Sequence, residues 1–241
     1  VAVVGLADVA DSLTALEQLV FGPGAPDLAE LQRALAADFV GHERTRATLQ
    51  QKAPRYGTDA PAADRTTGAL VELVQQVFSG HDNPHGGPYH VGYWTMTLHT
   101  GFGALTGALH RGRRAGAPLA SGATPVAGAA REGPTAALAS TARLPARCLA
   151  NGIANNHKLP RELMQQPGKL ALFDRLVQVF FARGGMQLQL TVQDRETLLA
   201  AQRRPEDHRD LLVRVSGYTA CFCDLTRPLQ DEIIARTEDR I

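Results

Sequence analysis

The chain has 241 residues, 44% of them hydrophobic, which suits one large globular domain or two small ones and argues against a disordered chain. Twenty-five Lys and Arg residues almost balance 24 Asp and Glu residues, so the net charge of +1 disfavours partners such as nucleic acid or an anionic membrane. No segment has the roughly 18 to 20 apolar residues of a membrane span, and the first residues lack the pattern of a signal peptide.

The cysteine count points to a reducing, cytoplasmic setting. Cys148, Cys221 and Cys223 give neither an even disulfide framework nor the paired spacing of a zinc site. The histidines of the segment 81–90 lack a matching set of carboxylates or thiols, so no metal site is predicted. The chain begins with Val in a pattern typical of a domain interior, which predicts a fragment or processed piece of a longer protein.

The first part of the chain, residues 1–88, is predicted to be mainly helical. Apolar residues spaced by three and four predict a first helix over 8–20 with one apolar face, formed by Val9, Leu13, Leu16 and Val20. Asp27 is a candidate cap for a second helix. Further helices are predicted over 41–52 and 66–78, before a Gly- and Pro-rich loop over 79–88.

The second part, residues 89–241, is predicted to alternate between strands and helices, which favours an α/β architecture. A strand rich in aromatic and β-branched residues is predicted over 89–98, followed by a Gly-, Pro- and Ala-rich ordered loop over 101–134. The later predicted elements are a helix over 159–183, a strand over 186–192, a short helix from Asp194, a strand over 211–218 that enters a glycine turn, and a final helix over 228–237. The loop over 79–88 is the candidate boundary, although the two parts are predicted to form one continuous unit.

One short motif carries the strongest chemical signal. Residues 214–220 read Arg-Val-Ser-Gly-Tyr-Thr-Ala and resemble the radical-site signature of glycyl radical enzymes of the pyruvate formate-lyase family. Further segments that resemble the family occur in order along almost the whole chain, at 10–13, 52–57, 103–108, 113–116, 125–128, 133–140, 184–189, 197–202 and 230–238. The match is therefore spread over several independent segments.

The resemblance implies that Gly217 is the catalytic residue that stores a radical. An unpaired electron on an α-carbon is stabilised when that carbon becomes planar and shares the electron with its flanking amide and carbonyl groups, and a side chain would oppose this flattening. Glycine also accepts the dihedral angles of a tight turn. Arg214, Ser216 and Tyr218 are expected to position a buried radical loop, away from water and oxygen.

The family resemblance also implies the partners. A separate activating enzyme, which uses S-adenosylmethionine and an iron–sulfur cluster, would install the radical, and no cofactor would remain bound. The radical would then oxidise a reactive cysteine in a Gly-Cys-x-Glu-Pro setting, which this sequence lacks. A missing N-terminal half or a partner subunit would supply that cysteine, and the roles of Cys148, Cys221 and Cys223 stay open.

The segment 89–98 corresponds to a part of the family that can line the substrate pocket. The resemblance makes Tyr93, Thr95 and His90 candidate pocket residues. Tyr93 and Thr95 lie on one face of the predicted strand, and His90 lies on the other. The sequence departs from the family where an acidic residue of a common turn is replaced by Arg111. This change predicts altered local pairing within the same fold.

The fold implied by the resemblance is the second half of a ten-stranded α/β barrel with a C-terminal glycyl radical loop. The implied function is that of an oxygen-sensitive, anaerobic lyase or acyltransferase, acting on a small molecule and dimeric when complete. Two alternatives stay open. One is an autonomous glycyl radical subunit that repairs an oxygen-damaged partner enzyme, and the other is an ordinary α/β binding domain with a coincidental motif.

Overall fold

A computed structural model of the protein describes residues 1–21, 27–129, 131–159 and 166–236. Helices occur in all of these ranges, whereas the strands of the described residues begin at Asn156. The helices are α1 (Leu6–Ala15, extended by a π-helical turn over Leu16–Val20), α2 (Leu28–Ala36), α3 (Glu43–Lys52), α4 (Pro61–Ser79), α5 (Leu98–Leu105), α6 (Pro134–Ala142), α7 (Pro167–Ala182), α8 (Arg195–Arg203) and α9 (Arg227–Ala235). The strands are β1 (Asn156–Leu159), β2 (Gln189–Val192), β3 (Leu212–Arg214) and β4 (Thr219–Cys221).

Parallel extended segments form the framework on which the helices pack. Residues 1–3 run parallel to 91–93, with Val3 N donating to Gly92 O at 2.9 Å. Residues 91–93 run parallel to 151–154 in turn, and Ala154 N donates to Tyr93 O at 2.8 Å. The chain then continues into β1, which pairs in parallel with β2. Parallel strands joined through helices give the predicted α/β class.

The strand predicted over 89–98 is confirmed only in part. Its extended portion makes isolated bridges at Gly92 and Tyr93, and α5 already begins at Leu98. Gly92 is needed in this bridge, because an added Cβ would lie 2.5 Å from Asn151 O on the neighbouring segment. The backbones here approach too closely for a side chain.

The apolar face predicted for the first helix is wrong for Val9 and Leu13. These residues are 45% and 38% exposed, whereas Asp8 and Asp11 on the other side of α1 are buried. The side of α1 that carries these carboxylates faces the interior, where they accept hydrogen bonds from buried donors. Asp8 Oδ1, for example, lies 2.6 Å from a terminal guanidinium nitrogen of Arg111. The buried Asp8–Arg111 pair shows the local pairing of the position that departs from the family.

Other predicted elements shift at their ends. The side chain of Asp27 caps α2 as predicted and accepts from Ala29 N at 3.0 Å. The helix predicted over 159–183 starts later, because Leu159 belongs to β1 and α7 begins at Pro167, while 160–165 lie outside the described residues. The predicted stop at Gly184 is confirmed by its φ of 98°, and the predicted end of the last helix at 237 lies outside the described residues.

Two apolar clusters organise the parts of the chain that matter for the site. The larger cluster combines residues from both sides of the 79–88 loop, including Leu6 and Tyr56 before it and Tyr93 and Leu149 after it. The smaller cluster is formed entirely by residues between Leu198 and Ile234, around the β3–β4 hairpin. In the described ranges, the helices are too short or too polar to cross a membrane.

Candidate functional site

The predicted glycine turn is the tip of the β3–β4 hairpin. β3 and β4 pair antiparallel, and Val215 N donates to Tyr218 O at 3.0 Å to close the turn. Gly217 lies at the tip with a φ of 90°, in the region that side chains disfavour. An added Cβ would meet nothing within 4 Å, so the backbone conformation and not lack of space requires glycine here.

The tip is open in this chain, although the residues before it are buried. Val215 and Ser216 are fully buried, whereas Gly217 is exposed. The expectation that Gly217 itself is buried is therefore wrong for the described residues alone. Its amide hydrogen nevertheless faces the parallel framework, because Gly217 N donates to Gln189 Oε1 at 3.1 Å from the first residue of β2.

A buried chain of hydroxyl groups anchors Ser216. Ser216 Oγ lies 3.2 Å from Thr95 Oγ1, and it also accepts from Thr95 N at 3.3 Å. Thr95 Oγ1 is in turn 3.0 Å from His99 Nδ1 and 3.3 Å from Ser121 Oγ. The polar network therefore joins the radical-loop motif to α5 and to the glycine-rich segment.

The last helix holds the same loop from its other side. Arg236 donates to the carbonyl oxygens of Arg214 and Val215, both at 2.7 Å, and pairs with Glu232 at 3.0 Å. Glu232 Oε2 also lies 3.4 Å from His99 Nε2, a polar contact whose geometry is not that of a hydrogen bond. We call the connected set Ser216, Thr95, His99, Glu232 and Arg236 the loop-anchoring network.

The charges of this network are well matched. Burial alone raises the pKa of Glu232, but the charge of Arg236 and the contacts with His99 and Arg236 outweigh it and lower the pKa to about 2. Glu232 is therefore a carboxylate at neutral pH. An ionised carboxylate and a guanidinium that also donates to two carbonyls form strong, directional contacts.

The three residues predicted to support the radical loop lie in different positions. Ser216 is in the loop-anchoring network, and the Arg214 side chain donates to Thr219 Oγ1 at 2.8 Å across the hairpin. Tyr218 is half-buried against the smaller apolar cluster. All three flank Gly217 in the turn, as the motif requires.

The three predicted pocket residues separate. Thr95 contacts Ser216 directly, whereas His90 is exposed. Tyr93 is fully buried in the larger apolar cluster, and this burial raises the pKa of its phenol. The structure therefore brings Thr95 to the radical loop but not Tyr93 or His90.

Sequence reasoning missed four residues of this site. Gln189, Glu232 and Arg236 lie in segments that the family resemblance already singled out, and the spacing of Glu232 and Arg236 is that of an ion pair on one helical turn. His99 follows directly after the strand predicted over 89–98, and nothing in its sequence context indicates its contacts.

A cavity of about 390 Å³ adjoins the loop-anchoring network. Ser121, Asn156, Glu232 and Arg236 line it, and so does the arginine-rich turn 111–114. Gly217 does not line it. Within the described residues, no group of three or more His, Cys, Asp or Glu side chains is arranged to hold a metal ion.

Comparison with known families assigns both parts of the chain. A family model described as "Glycine radical" matches residues 119–223, and one described as "Pyruvate formate lyase-like" matches residues 1–103. The first match includes the β3–β4 hairpin with Gly217, and the second includes α1 to α4 and the extended segment that carries Thr95.

The chain is also similar to curated proteins over nearly its whole length. It is 38% identical over 244 residues to the probable dehydratase YbiW of Escherichia coli, covering 98% of this chain and 30% of that protein. It is 35% identical over 235 residues to trans-4-hydroxy-L-proline dehydratase of Clostridioides difficile, again covering 98% of this chain and 30% of the relative. The chain thus spans about a third of the length of these relatives.

Solved structures show the same relation in three dimensions. The glycerol-bound B12-independent glycerol dehydratase from Clostridium butyricum superposes with a TM-score of 0.95 at 35% identity, over 98% of this chain and 30% of that one. A hydroxyproline dehydratase from Clostridioides difficile, with trans-4-hydroxy-L-proline bound, gives a TM-score of 0.94 at 35% identity, over 99% and 30%. The described fold is therefore a part of this larger architecture.

Proposed function

The chain belongs to the glycyl radical enzymes of the pyruvate formate-lyase family, and from this premise we propose that Gly217 stores the radical of a lyase-type enzyme. The observation that carries the proposal is the geometry of the hairpin tip. A glycine with φ of 90° has its N–H held by Gln189, and the residues before it are anchored by the loop-anchoring network. The α-carbon is thus accessible, whereas the rest of the loop is held in place.

Radical storage needs one bond to break. A Cα–H bond of Gly217 breaks homolytically, and the hydrogen atom passes to a radical on a separate activating enzyme that uses S-adenosylmethionine and an iron–sulfur cluster. The electron left on the α-carbon is shared with the flanking amide and carbonyl groups. The open tip supports this step, because nothing lies within 4 Å of the position of a Cβ at Gly217.

The remainder of the enzyme would supply the reactive cysteine. Cys148 is buried in the larger apolar cluster. The Cys223 thiol packs against the smaller apolar cluster and donates to the backbone oxygen of His208 at 3.3 Å, so it is held within the scaffold. We expect a cysteine from a preceding half or a partner subunit to approach Gly217 at the open tip and to shield it from water and oxygen.

The reaction that we propose is the elimination of water from a small hydroxylated molecule. The relatives described above include dehydratases. One solved structure is a glycerol dehydratase with glycerol bound, and another is a hydroxyproline dehydratase with trans-4-hydroxy-L-proline bound. The parallel segments of this chain would complete a ten-stranded barrel together with the remainder of the enzyme. Residues 1–88 and 89–241 would form one continuous unit of that barrel. A homodimeric, cytoplasmic and oxygen-sensitive enzyme is the complete form that this proposal expects.

Electron paramagnetic resonance tests the proposal. The protein as encoded is incubated without oxygen with an activating enzyme of this class, S-adenosylmethionine and a reductant. We expect a doublet, split by the single remaining α-hydrogen, that collapses to a narrower line when the protein contains α-deuterated glycine. Gly217→Ala should abolish the signal.

Gly116→Ala is the matched control, because Gly116 also has a positive φ, of 75°, and open space around its Cβ position. It should keep the wild-type doublet. A doublet that persists in Gly217→Ala would show that the radical lies elsewhere and would refute the proposal.

A further inference from the structure

Gly217 is contacted directly by one side chain that the motif does not contain. Gly217 N donates to Gln189 Oε1 at 3.1 Å, and Gln189 is 5% exposed. The loop-anchoring network, in contrast, reaches the residues before Gly217 and not the glycine itself. Gln189 therefore acts at the atom next to the carbon that would carry the radical.

The acceptor is held by rigid structure. Gln189 is the first residue of β2, and its own backbone nitrogen donates to Asn155 O at 2.8 Å. It pairs with Asn156 in the parallel β1–β2 ladder. A side chain on a paired strand is placed more firmly than one on a loop, so the Gly217 amide is tied to the framework and not only to its own hairpin.

We propose that Gln189 is a positioning residue that stabilises the radical on Gly217, an inference that rests on the proposed function. A radical on the α-carbon gains stability from electron density on the adjacent nitrogen. An N–H that donates to a carbonyl oxygen makes its nitrogen more electron-rich, because the hydrogen carries more positive charge. The same hydrogen bond fixes the amide plane, so the flattened carbon keeps one orientation relative to it.

Three variants test this role. Gln189→Met has a similar length but no acceptor oxygen, and the radical on it should decay about threefold to tenfold faster without oxygen, the effect of losing one hydrogen bond. The splitting or shape of its doublet should also change, since the spin density at the nitrogen and the orientation of the amide change. Gln189→Glu retains an acceptor oxygen and should restore a long-lived radical.

Gln187→Met is the matched control. Gln187 Oε1 also accepts from a backbone nitrogen, that of Asn155, at 2.8 Å, and among the described residues no hydrogen bond joins its side chain to the hairpin. Its loss should leave the doublet and the decay rate unchanged. A thermal melt of each variant confirms that a change in the signal does not come from unfolding.

The outcomes separate the two proposals. If the wild-type protein gives no doublet that depends on Gly217, the proposed function fails, and the role of Gln189 fails with it. If the wild type gives the doublet and Gln189→Met matches it in shape and decay, the role of Gln189 alone is refuted. An equal change in Gln187→Met would also refute it, because the effect would then come from the strand in general.

Discussion

Two buried carboxyl groups, Asp11 in α1 and Glu232 in α9, differ in how tightly they hold a proton. Burial raises the pKa of Asp11 to about 7, even though the Tyr56 N–H and the charges of Arg55 and Arg111 act against it. The pKa of Glu232 is lowered to about 2 although burial opposes this. The comparison teaches that a directly bonded guanidinium, and not the degree of burial, decides which carboxylate stays ionised.

The arginines nearest to each carboxylate explain the difference. Arg55 and Arg111 act on Asp11 only through their charges, because Arg55 donates to Arg111 O and Arg111 bonds Asp8 through two of its nitrogens. Among the described residues, one oxygen of Asp11 has no hydrogen-bond partner. Arg236, in contrast, bonds both oxygens of Glu232. Glu232, with the lowered pKa, lies with Arg236 beside the hairpin residues before Gly217, whereas Asp11, with the raised pKa, lies in α1.

Removing Arg236 should have the largest effect on stability. Arg236→Met leaves Glu232 buried without its partner and leaves the carbonyls of Arg214 and Val215 without their donor. We expect a loss of about 3 to 5 kcal/mol in the free energy of unfolding at neutral pH. Urea unfolding of the protein as encoded measures this loss.

Arg227→Met provides the control on the same helix. Arg227 pairs with Asp231 at 3.3 Å, but both side chains are largely exposed, so the expected loss is about 0.5 kcal/mol or less. Equal losses for the two variants would show that Arg236 contributes no more than a surface pair, and the loop-anchoring network would then lose its central contact.

The pH dependence of stability should show the raised pKa of Asp11. Asp11 binds a proton more tightly in the folded state, so its contribution weakens as pH rises from its ordinary pKa of 3.8 to about 7 and is constant above that. A shift of about three units corresponds to at most about 4 kcal/mol. Asp11→Asn should remove this decline, so its stability relative to wild type should rise across the window.

Asp231→Asn serves as the control, because Asp231 is an exposed carboxylate and should leave the profile of the wild type unchanged in this window. Unfolding measured in urea at a series of pH values gives both profiles. A decline that is equally steep in Asp11→Asn would contradict a protonated Asp11 in the folded protein.

The features of the structure that were predicted from the sequence depend on short-range patterns or on a motif. Local patterns identified α2 through its Asp27 cap, the strand that became β2, and the hairpin turn at Gly217, because capping, alternation and glycine turns act within a few residues. The family resemblance singled out the hairpin around Gly217, which lies within the segment that the glycine radical family model matches. These features depend on neighbouring residues along the chain or on a motif.

The errors arise where distant residues decide the outcome. Periodicity assigned Val9 and Leu13 to the buried face of α1, but Arg111, about a hundred residues away, requires Asp8 on that face. Tyr93 and Thr95 have the same parity, yet one packs in the apolar core and the other contacts Ser216. Which buried polar group finds a partner depends on the folded topology, and short-range patterns do not contain that information.

Replacing His99 should have the smallest effect on stability, but it gives the most specific test, because His99 lies between Glu232 and the hydroxyl groups at Ser216. His99→Leu should cost about 1 to 3 kcal/mol in the free energy of unfolding, since Thr95 and Glu232 each lose a polar contact. Combined with Thr95→Val, it forms a double-mutant cycle, and a direct contact predicts a coupling energy of about 0.5 kcal/mol or more. Thr100→Val on the same helix, whose hydroxyl donates to Thr97 O at an exposed position, should show no coupling with His99→Leu. Additive losses for His99 and Thr95 would mean that the two side chains act independently, whereas a coupling confined to that pair would show that His99 acts on Ser216 through Thr95.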